Sequence, residues 1–269
     1  SQAGDAGTKE IDAASRLAQP DFPIVGIGCS AGGLEALDAL LGGAPADSGM
    51  AFIIVQHLDP QHVSNLPELL QRATPMPVLE AGERVVVRPG CVYVIPPNKD
   101  LSLSHGILHL LDPTERHGLH LPIDFFLRTL ADDCQHRAVG VILSGMGSDG
   151  VLGLGAIKEK GGLTLAQEPT DARSNSMPGS AIEAGVVDIV APAGELVARI
   201  VGYLRHAPTH RPLEAQPALD TQSALERIVV LLRNRSGNDL SLYKPSTLRR
   251  RIERRIGLLQ LDSIADYVA

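Results

Sequence analysis

One short segment holds residue types that two different chemistries could use. The sequence IVGIGCSAGGLEAL runs from an apolar stretch into a glycine-rich turn and then into a helical pattern. Its GCSAG portion, centred on Ser30, matches the Gly-x-Ser-x-Gly pattern, in which small neighbours permit a sharp turn that exposes a nucleophilic serine. Its GIGCSA portion, which begins at Gly26, also matches a dinucleotide fingerprint, in which glycines admit a pyrophosphate to a helix N-terminus. Neither pattern decides between the two chemistries by itself.

The residues that follow two later apolar stretches favour the serine. A dinucleotide site needs an acid at the end of the second strand, but AFIIVQ is followed directly by His57. Another apolar stretch, AVGVILS, is followed by a glycine-rich loop that contains Asp149. Taken singly, His57 is also typical of a polar loop residue, and Asp149 of a cap for the next helix. Together they are the partners that an activated serine requires.

These three residues must be positioned by a sheet. From Phe22 onward, apolar runs without polar alternation follow one another with amphipathic helical stretches between them, which is typical of strands buried on both faces of a parallel sheet. The pattern predicts an α/β fold with a doubly wound, mostly parallel sheet. Residues 84–111, with RVVV, CVYVI, LSLS and ILHLL, read as an antiparallel insertion. The carboxyl ends of parallel strands share one edge, so we expect Ser30, His57 and Asp149 in one crevice.

The chemistry follows from that arrangement. His57 would take the proton of Ser30 as the serine attacks a carbonyl, and Asp149 would hold the imidazole in the required tautomer. Backbone N–H groups at the start of the following helix, at Ala31 and Gly32, would stabilise the oxyanion. This mechanism needs neither a metal nor a cofactor, and the nine histidines show no HExxH or similar metal-binding spacing.

Composition divides the chain into parts. Residues 1–21 read as a tail or linker, 22–205 as the α/β domain, 206–218 as a proline-rich linker and 219–269 as the first part of a helical domain. The net charge of -7 is uneven, because the residues from 213 onward carry nine Lys/Arg against seven Asp/Glu. The chain stops within what reads as another helix, so we expect the helical domain to be truncated.

Membrane and secretory classes are not favoured. No run approaches the ~20 apolar residues of a membrane-spanning helix, and the N-terminus lacks the basic-then-apolar order of a signal peptide. The cysteines are odd in number and form no CxxC pair, which indicates neither a disulfide framework nor a zinc site; they are Cys29, Cys91 and Cys134. We therefore expect a cytoplasmic protein without direct membrane insertion.

The segments between residues 22 and 204 resemble the catalytic domain of the chemotaxis protein-glutamate methylesterase (CheB-type) family. The resemblance is carried by FPIVGIGCSAGGLEAL, IIVQH, AGERVVVRPGCVYVIPPNKDL, AVGVILSGMGSDG and LTLAQEPTDARSNSMPGSAIEAGVVDIV. It implies that Ser30 is the nucleophile, that His57 and Asp149 complete the triad, and that Met146 lies near the oxyanion. It also implies hydrolysis of glutamate methyl esters on helices of chemoreceptor-like proteins, and it leaves open whether glutamines there are deamidated.

Residues 219–269, with DLSLYKPSTLRRRIERRI, resemble the helical N-terminal domain of chemoreceptor methyltransferases (CheR-type). In that family the equivalent helix is basic and engages an acidic receptor helix, which implies a receptor-binding role for Arg249, Arg250, Arg251, Arg254 and Arg255. Such charges are also typical of an ordinary solvated helix face. A nucleic-acid partner is not favoured, because no recognition motif accompanies the charge. S-adenosylmethionine would serve only the methyltransferase catalytic domain, which this chain lacks.

Two alternatives to the esterase remain at this point. The Gly26 turn could bind a dinucleotide, and the α/β domain could be a non-catalytic docking module in a signalling fusion. The positions of the three triad residues distinguish these hypotheses.

Overall fold

The computed structural model describes residues 20–56, 65–113, 120–206, 227–231, 245–261 and 264–268. The α/β part contains ten strands, β1 Ile24–Cys29, β2 Ala51–Gln56, β3 Val78–Glu80, β4 Val85–Val86, β5 Val92–Val94, β6 Asp100–Ser104, β7 Ile107–Leu111, β8 Ala138–Ile142, β9 Leu163–Gln167 and β10 Ile189–Ala191. The helices that follow or separate them are α1 Gly33–Gly42, α2 Leu66–Leu70, α3 Pro122–Cys134, α4 Val151–Glu159, α5 Ser176–Glu183 and α6 Ala193–His206. Near the C-terminus lie α7 Pro245–Leu259 and α8 Ile264–Val268.

A seven-stranded parallel sheet forms the centre of the α/β part. Its order is β10-β9-β8-β1-β2-β5-β3. From β1 the chain proceeds through α1 to β2 on one side, whereas from β8 it proceeds through α4 to β9 on the other side. The neighbouring strands β1 and β8 therefore form a topological switch point, and the crevice at their carboxyl ends is where open α/β sheets bind ligands. The predicted doubly wound, mostly parallel sheet is confirmed.

Glycines in β1 let a helix approach the sheet closely. A Cβ atom on Gly26 would lie 2.7 Å from side-chain atoms of Leu127 and Leu130 in α3. Gly26 also sits in the middle of β1, paired with Ile53 of β2 and Gly140 of β8, and not in the turn where a pyrophosphate would bind. The GIGCSA pattern is therefore explained by packing, because the turn itself begins only at Ser30.

The antiparallel insertion is smaller than the sequence predicted. Strands β4, β7 and β6 form a separate antiparallel sheet, as expected. The CVYVI segment, however, supplies β5, which pairs in parallel with β2 and β3 in the main sheet. The prediction was wrong there because it assigned this segment by its neighbours in the sequence and not by its own residue pattern. β5 is fully buried and lacks polar alternation, as a central parallel strand does. Edge strand β3, three partly exposed residues long, was not predicted at all.

The chain divides into two compact units between Leu196 and Val197, within α6, whereas the sequence placed the boundary after residue 205. Beyond α6, residues 227–231 are helical, and Ile228 is buried together with Ile252 and Ile256 of α7. Most of the predicted tail (residues 1–21) and of the predicted linker (residues 206–218) lies outside the described residues, and residue 206 is the last residue of α6. Within the described chain, no helix has the length and apolar character needed to cross a membrane.

Candidate active site

Ser30 lies at the switch point, in the turn between β1 and α1. Its side chain is half-buried, and Gly32, which precedes the first residue of α1, has φ +74°. A Cβ atom on Gly32 would also lie 2.7 Å from Cβ of Arg173 and 2.8 Å from Oγ of Ser144. The turn therefore requires glycine at this position for both its backbone conformation and its surroundings.

An open cleft of about 510 Å³ contains Ser30. One side is formed by the turn and the first residues of α1, and the remaining wall by Gln56 and Arg173. The guanidinium of Arg173 lies 2.8 Å from the carboxylate of Glu35, and both side chains are mostly exposed. A backbone hydrogen bond of Glu35 and, to a smaller extent, the Arg173 charge lower the pKa of the Glu35 carboxyl. The lining of the cleft thus includes a solvent-exposed ion pair close to Ser30.

Two backbone hydrogen bonds and one from a side chain fix the serine turn. The Ser30 N–H donates to the Ser144 carbonyl over 2.9 Å, and the Gly33 N–H donates to the Ser30 carbonyl over 2.9 Å. The hydroxyl of Ser144 donates to the Ala31 carbonyl over 2.8 Å. The N–H groups of Ala31 and Gly32 donate to no acceptor among the residues that the structure describes. They are the donors that the sequence predicted for an oxyanion.

Asp149 is buried, with 2% of its surface exposed, in the loop that follows β8. Its two carboxylate oxygens accept the N–H groups of Ile123 and Asp124, over 3.0 and 2.8 Å, at the first turn of α3. Negative charge is stabilised at a helix N-terminus. Asp149 does cap a helix, but the helix is α3 and not the α4 that follows it in sequence. Asp149 also makes a further interaction beyond these two bonds.

Asp124, in the first turn of α3, in turn caps α4. Its carboxylate accepts the Gly153 N–H of α4 over 2.7 Å. The two aspartates therefore cap each other's helices. Burial above all, together with the neighbouring Asp149 charge, raises the pKa of Asp124, while the Gly153 hydrogen bond acts in the opposite direction. This reciprocal capping holds the loop of Asp149 at a fixed place beside β1.

His57 lies outside the described residues, so the structure reports no side-chain geometry for it. The chain leaves β2 at Gln56, whose register partner in β1 is Cys29, the residue before Ser30. The Gln56 side chain lines the cleft, and its buried Oε1 atom has no hydrogen-bond partner within the described part of the chain. Thus the structure brings Ser30 and Asp149 to the same sheet edge and ends β2 there, one residue before His57.

The thiol next to Ser30 does not compete with the serine hydroxyl as a candidate nucleophile. Cys29 is fully buried in β1, and burial raises the pKa of its thiol to about 12. Thiolate is the nucleophilic form of cysteine, so Cys29 stays unreactive at neutral pH. Cys29 therefore has a packing role in β1. Across the described ranges, no group of three His, Cys, Asp or Glu side chains is arranged to hold a metal ion.

Met146 lies on the glycine-rich loop after β8 and is 67% exposed. Its N–H has no acceptor among the described residues, whereas those of the flanking Gly145 and Gly147 donate to Ser174 and Ser176. Sequence reasoning did not single out three other residues at this edge: Ser144, Asp124 and Arg173. These residues act through contacts with residues far away in the sequence, so no short sequence motif marks them. The one visible signal was Ser144, a polar residue directly after the apolar run AVGVIL.

The basic residues near the C-terminus lie on α7. Pro245 occupies the first turn of this helix, where a proline is tolerated, and Ile252 and Ile256 form the buried side of the helix. The sequence periodicity also predicts Leu259 on this apolar side, but Leu259 is exposed. Arg249 pairs with Glu253 one turn later, over 2.7 Å, and Arg251 and Arg255 are exposed. Arg249, Arg251 and Arg255 of α7 therefore face solvent.

Comparisons with known proteins find a matching family for each of the two parts of the chain. A family model described as CheB methylesterase matches residues 25–200, and one described as CheR methyltransferase, all-alpha domain, matches residues 223–269. A protein-glutamate methylesterase/protein-glutamine glutaminase of Burkholderia lata is 39% identical over 191 residues, covering 68% of this chain and 55% of that protein. An uncharacterised 104.1 kDa protein of Rhodobacter capsulatus is 35% identical over 224 residues, covering 76% of this chain and 23% of its own length.

A solved structure shares the fold. The crystal structure of the CheB methylesterase catalytic domain of Thermotoga maritima matches with a TM-score of 0.62 and 30% identity, covering 67% of this chain and 97% of that domain. The chain spans just over half the length of the Burkholderia methylesterase that it matches. The family model covers most of the α/β part, including the Ser30 turn and the Asp149 loop. The chain therefore belongs to the CheB methylesterase family.

Proposed function

We propose that the α/β part is a serine-dependent hydrolase of glutamate methyl esters, with Ser30, His57 and Asp149 as its triad. The observation that carries the proposal is the placement of Ser30 in an open cleft at the switch point, beside the loop of a buried, doubly hydrogen-bonded Asp149. Strand β2 ends at the same edge, directly before His57 in the sequence. Triads are recognised by such roles and placement and not by their order along the chain.

The reaction proceeds in two steps. In the first, His57 accepts the Ser30 proton while Oγ forms a bond to the ester carbonyl carbon, and the bond to the methoxy group then breaks as His57 returns the proton to give methanol. In the second, His57 accepts a proton from water, the hydroxide attacks the acyl-enzyme, and Ser30 leaves with the proton to give free glutamate. Asp149 stabilises the imidazolium in both steps. These residues need no metal or cofactor.

The oxyanion is stabilised by backbone donors. The N–H groups of Ala31 and Gly32 face no protein acceptor among the described residues and lie next to the nucleophile. Met146 supplies a third N–H from the loop across the switch point. Donors that are already oriented before the reaction stabilise the negative charge without a cost of reorganisation.

The names of the relatives support the proposed substrate class. Relatives with the same α/β part carry the name protein-glutamate methylesterase/protein-glutamine glutaminase. We propose that this chain acts on methylated glutamates in helices of chemoreceptor-like proteins, and that glutamine side chains are hydrolysed by the same triad with ammonia as the leaving group. The unpaired thiols Cys29, Cys91 and Cys134 support a reducing, cytoplasmic compartment for this reaction.

The arginines of α7 fit a receptor-binding role. Arg251 and Arg255 are exposed one helical turn apart, and the match to the CheR all-alpha domain covers both. Receptor helices that carry methylation sites are rich in glutamate, so a basic helix face is complementary to them. We propose that α7 contributes affinity for the receptor and that the cleft performs the chemistry.

Methanol release from a methylated receptor fragment tests the proposal. Wild-type protein should release methanol, and Ser30→Ala should lower the rate about 10³-fold or more, because the nucleophile is lost. Ser148→Ala is the matched control: it removes an exposed hydroxyl from the Asp149 loop and should keep the wild-type rate. A folded Ser30→Ala variant that releases methanol at the wild-type rate would exclude this mechanism.

A further inference from the structure

We infer that Ser144 is a positioning residue, whose hydroxyl holds the serine turn so that the oxyanion donors face the cleft. The inference rests on the proposed function and goes beyond it, because neither the triad nor the oxyanion proposal assigns a role to this side chain. Ser144 ends the apolar run of β8 and has no exposed surface. It lies directly across the switch point from Ser30.

The Ser144 hydroxyl both accepts and donates a hydrogen bond. It accepts the Ser174 N–H over 2.9 Å and lies 2.8 Å from the Ala31 carbonyl oxygen. A second carbonyl, that of Ser174, lies farther away, at 3.3 Å. A hydroxyl has one proton to donate, and the shorter distance assigns it to the Ala31 carbonyl. Removing the hydroxyl would leave the Ala31 carbonyl without this donor.

The Ala31 carbonyl controls the direction of a neighbouring donor. A peptide unit is planar and trans, so its C=O and N–H point in opposite directions. Anchoring the Ala31 carbonyl to Ser144 therefore directs the Gly32 N–H away from Ser144. By the same reasoning, the Ser30 carbonyl, bonded to the Gly33 N–H, directs the Ala31 N–H. The Ser144 carbonyl completes the arrangement by accepting the Ser30 N–H over 2.9 Å.

Ser144 is itself held by a chain of hydrogen bonds that begins at the buried Gln167 and ends at Asp171. Its N–H donates to Oε1 of Gln167, a residue with 2% of its surface exposed, over 2.8 Å. The Gln167 amide donates to the Asp171 carboxylate over 2.8 Å, and the same carboxylate oxygen accepts the Ala193 N–H at the start of α6. A side chain anchored on this network keeps a fixed position, which is what preorganised donors require.

Kinetics of Ser144→Ala test the inference. We expect kcat to fall about 10- to 100-fold, less than for loss of an oxyanion donor itself, while KM for the methylated receptor fragment changes less than about threefold. The rate at which a fluorophosphonate labels Ser30 should fall in parallel, because that reaction uses the same nucleophile and donors but no receptor contact. Ser148→Ala, the exposed neighbour, should leave both rates unchanged.

Two further variants separate positioning from folding. Ser144→Thr keeps the hydroxyl and should restore kcat to within about fivefold of wild type. Ser144→Cys fills the same volume with a weak donor, and it should show the low kcat even if thermal melting shows that Ser144→Ala does not fold. An unchanged kcat in a folded Ser144→Ala or Ser144→Cys variant would overturn the inference, and so would a Ser144→Thr variant as slow as the alanine. Failure of wild type to release methanol would instead refute the proposed function.

Discussion

At the residue scale, the site depends on contacts that the sequence shows only in part. The spacing of GCSAG and the residue types at positions 57 and 149 were sufficient to predict a serine hydrolase. The ion pair of Glu35 and Arg173 was not predictable, because its partners are separated by 138 positions and meet only when the sheet is assembled. Gly26, which matched a dinucleotide pattern, proved to be a packing position under α3.

Substitution of Arg173 tests whether the ion pair influences substrate binding. Arg173→Gln leaves the Glu35 carboxylate uncompensated at the mouth of the cleft, so KM for an acidic, methylated receptor helix should rise about two- to fivefold while kcat stays near wild type. Added salt should reduce the difference. The double variant Glu35→Gln/Arg173→Gln should restore KM. Equal KM values for wild type and Arg173→Gln at low salt would contradict this role.

At the element scale, strand patterns predicted the sheet but not every position within it. β1, β2 and β8 were recognisable as buried strands because their apolar runs lack polar alternation. Edge strand β3 carries no such signal, and β5 was assigned to the wrong sheet. The reciprocal capping of α3 and α4 by Asp149 and Asp124 was also hidden, since each aspartate caps a helix other than the one its local sequence indicates.

The pH dependence of stability in Asp124→Asn tests the paired caps. The wild-type carboxyl has a pKa raised from its ordinary value of 3.8, mainly by burial. Its contribution to stability is therefore complete below pH 3.8 and is lost as the pH rises through the raised pKa. Asparagine keeps an oxygen for the Gly153 N–H but does not titrate. The free energy of unfolding of wild type relative to Asp124→Asn, measured by urea denaturation, should fall as the pH rises.

If the free energy of unfolding of wild type relative to Asp124→Asn instead rose with pH, the charged form of Asp124 would not destabilise the fold. A difference that grows with pH would mean that the Gly153 hydrogen bond outweighs burial and the Asp149 charge. Gln135→Ala, directly after α3, removes a half-buried side chain that does not titrate, so its effect on stability should not change with pH.

At the scale of the whole molecule, the chain joins an esterase-family unit to a basic helical segment of a second family. The uneven charge of the sequence already indicated two parts. The division within α6 was not predictable, because the helix continues across it and the local pattern of α6 does not change there.

Loss of charge from α7 tests the contribution of the second part. In the full chain, Arg251→Gln/Arg255→Gln should raise KM for the acidic receptor fragment, because complementary charge is removed from an exposed helix face. A short glutamate methyl ester peptide that reaches only the cleft should be hydrolysed with unchanged kcat and KM. If the receptor fragment also shows an unchanged KM, the arginines are an ordinary solvated surface.

The central claim is that Ser30 is a nucleophile activated by His57. Its most direct test is to treat the full chain with a fluorophosphonate and locate the adduct by peptide mass spectrometry. The account predicts a single fast adduct on the peptide that contains Ser30, abolished in Ser30→Ala, strongly slowed in His57→Ala and unchanged in Ser148→Ala. An adduct on another residue, or labelling of Ser30 at the same rate without His57, would contradict it.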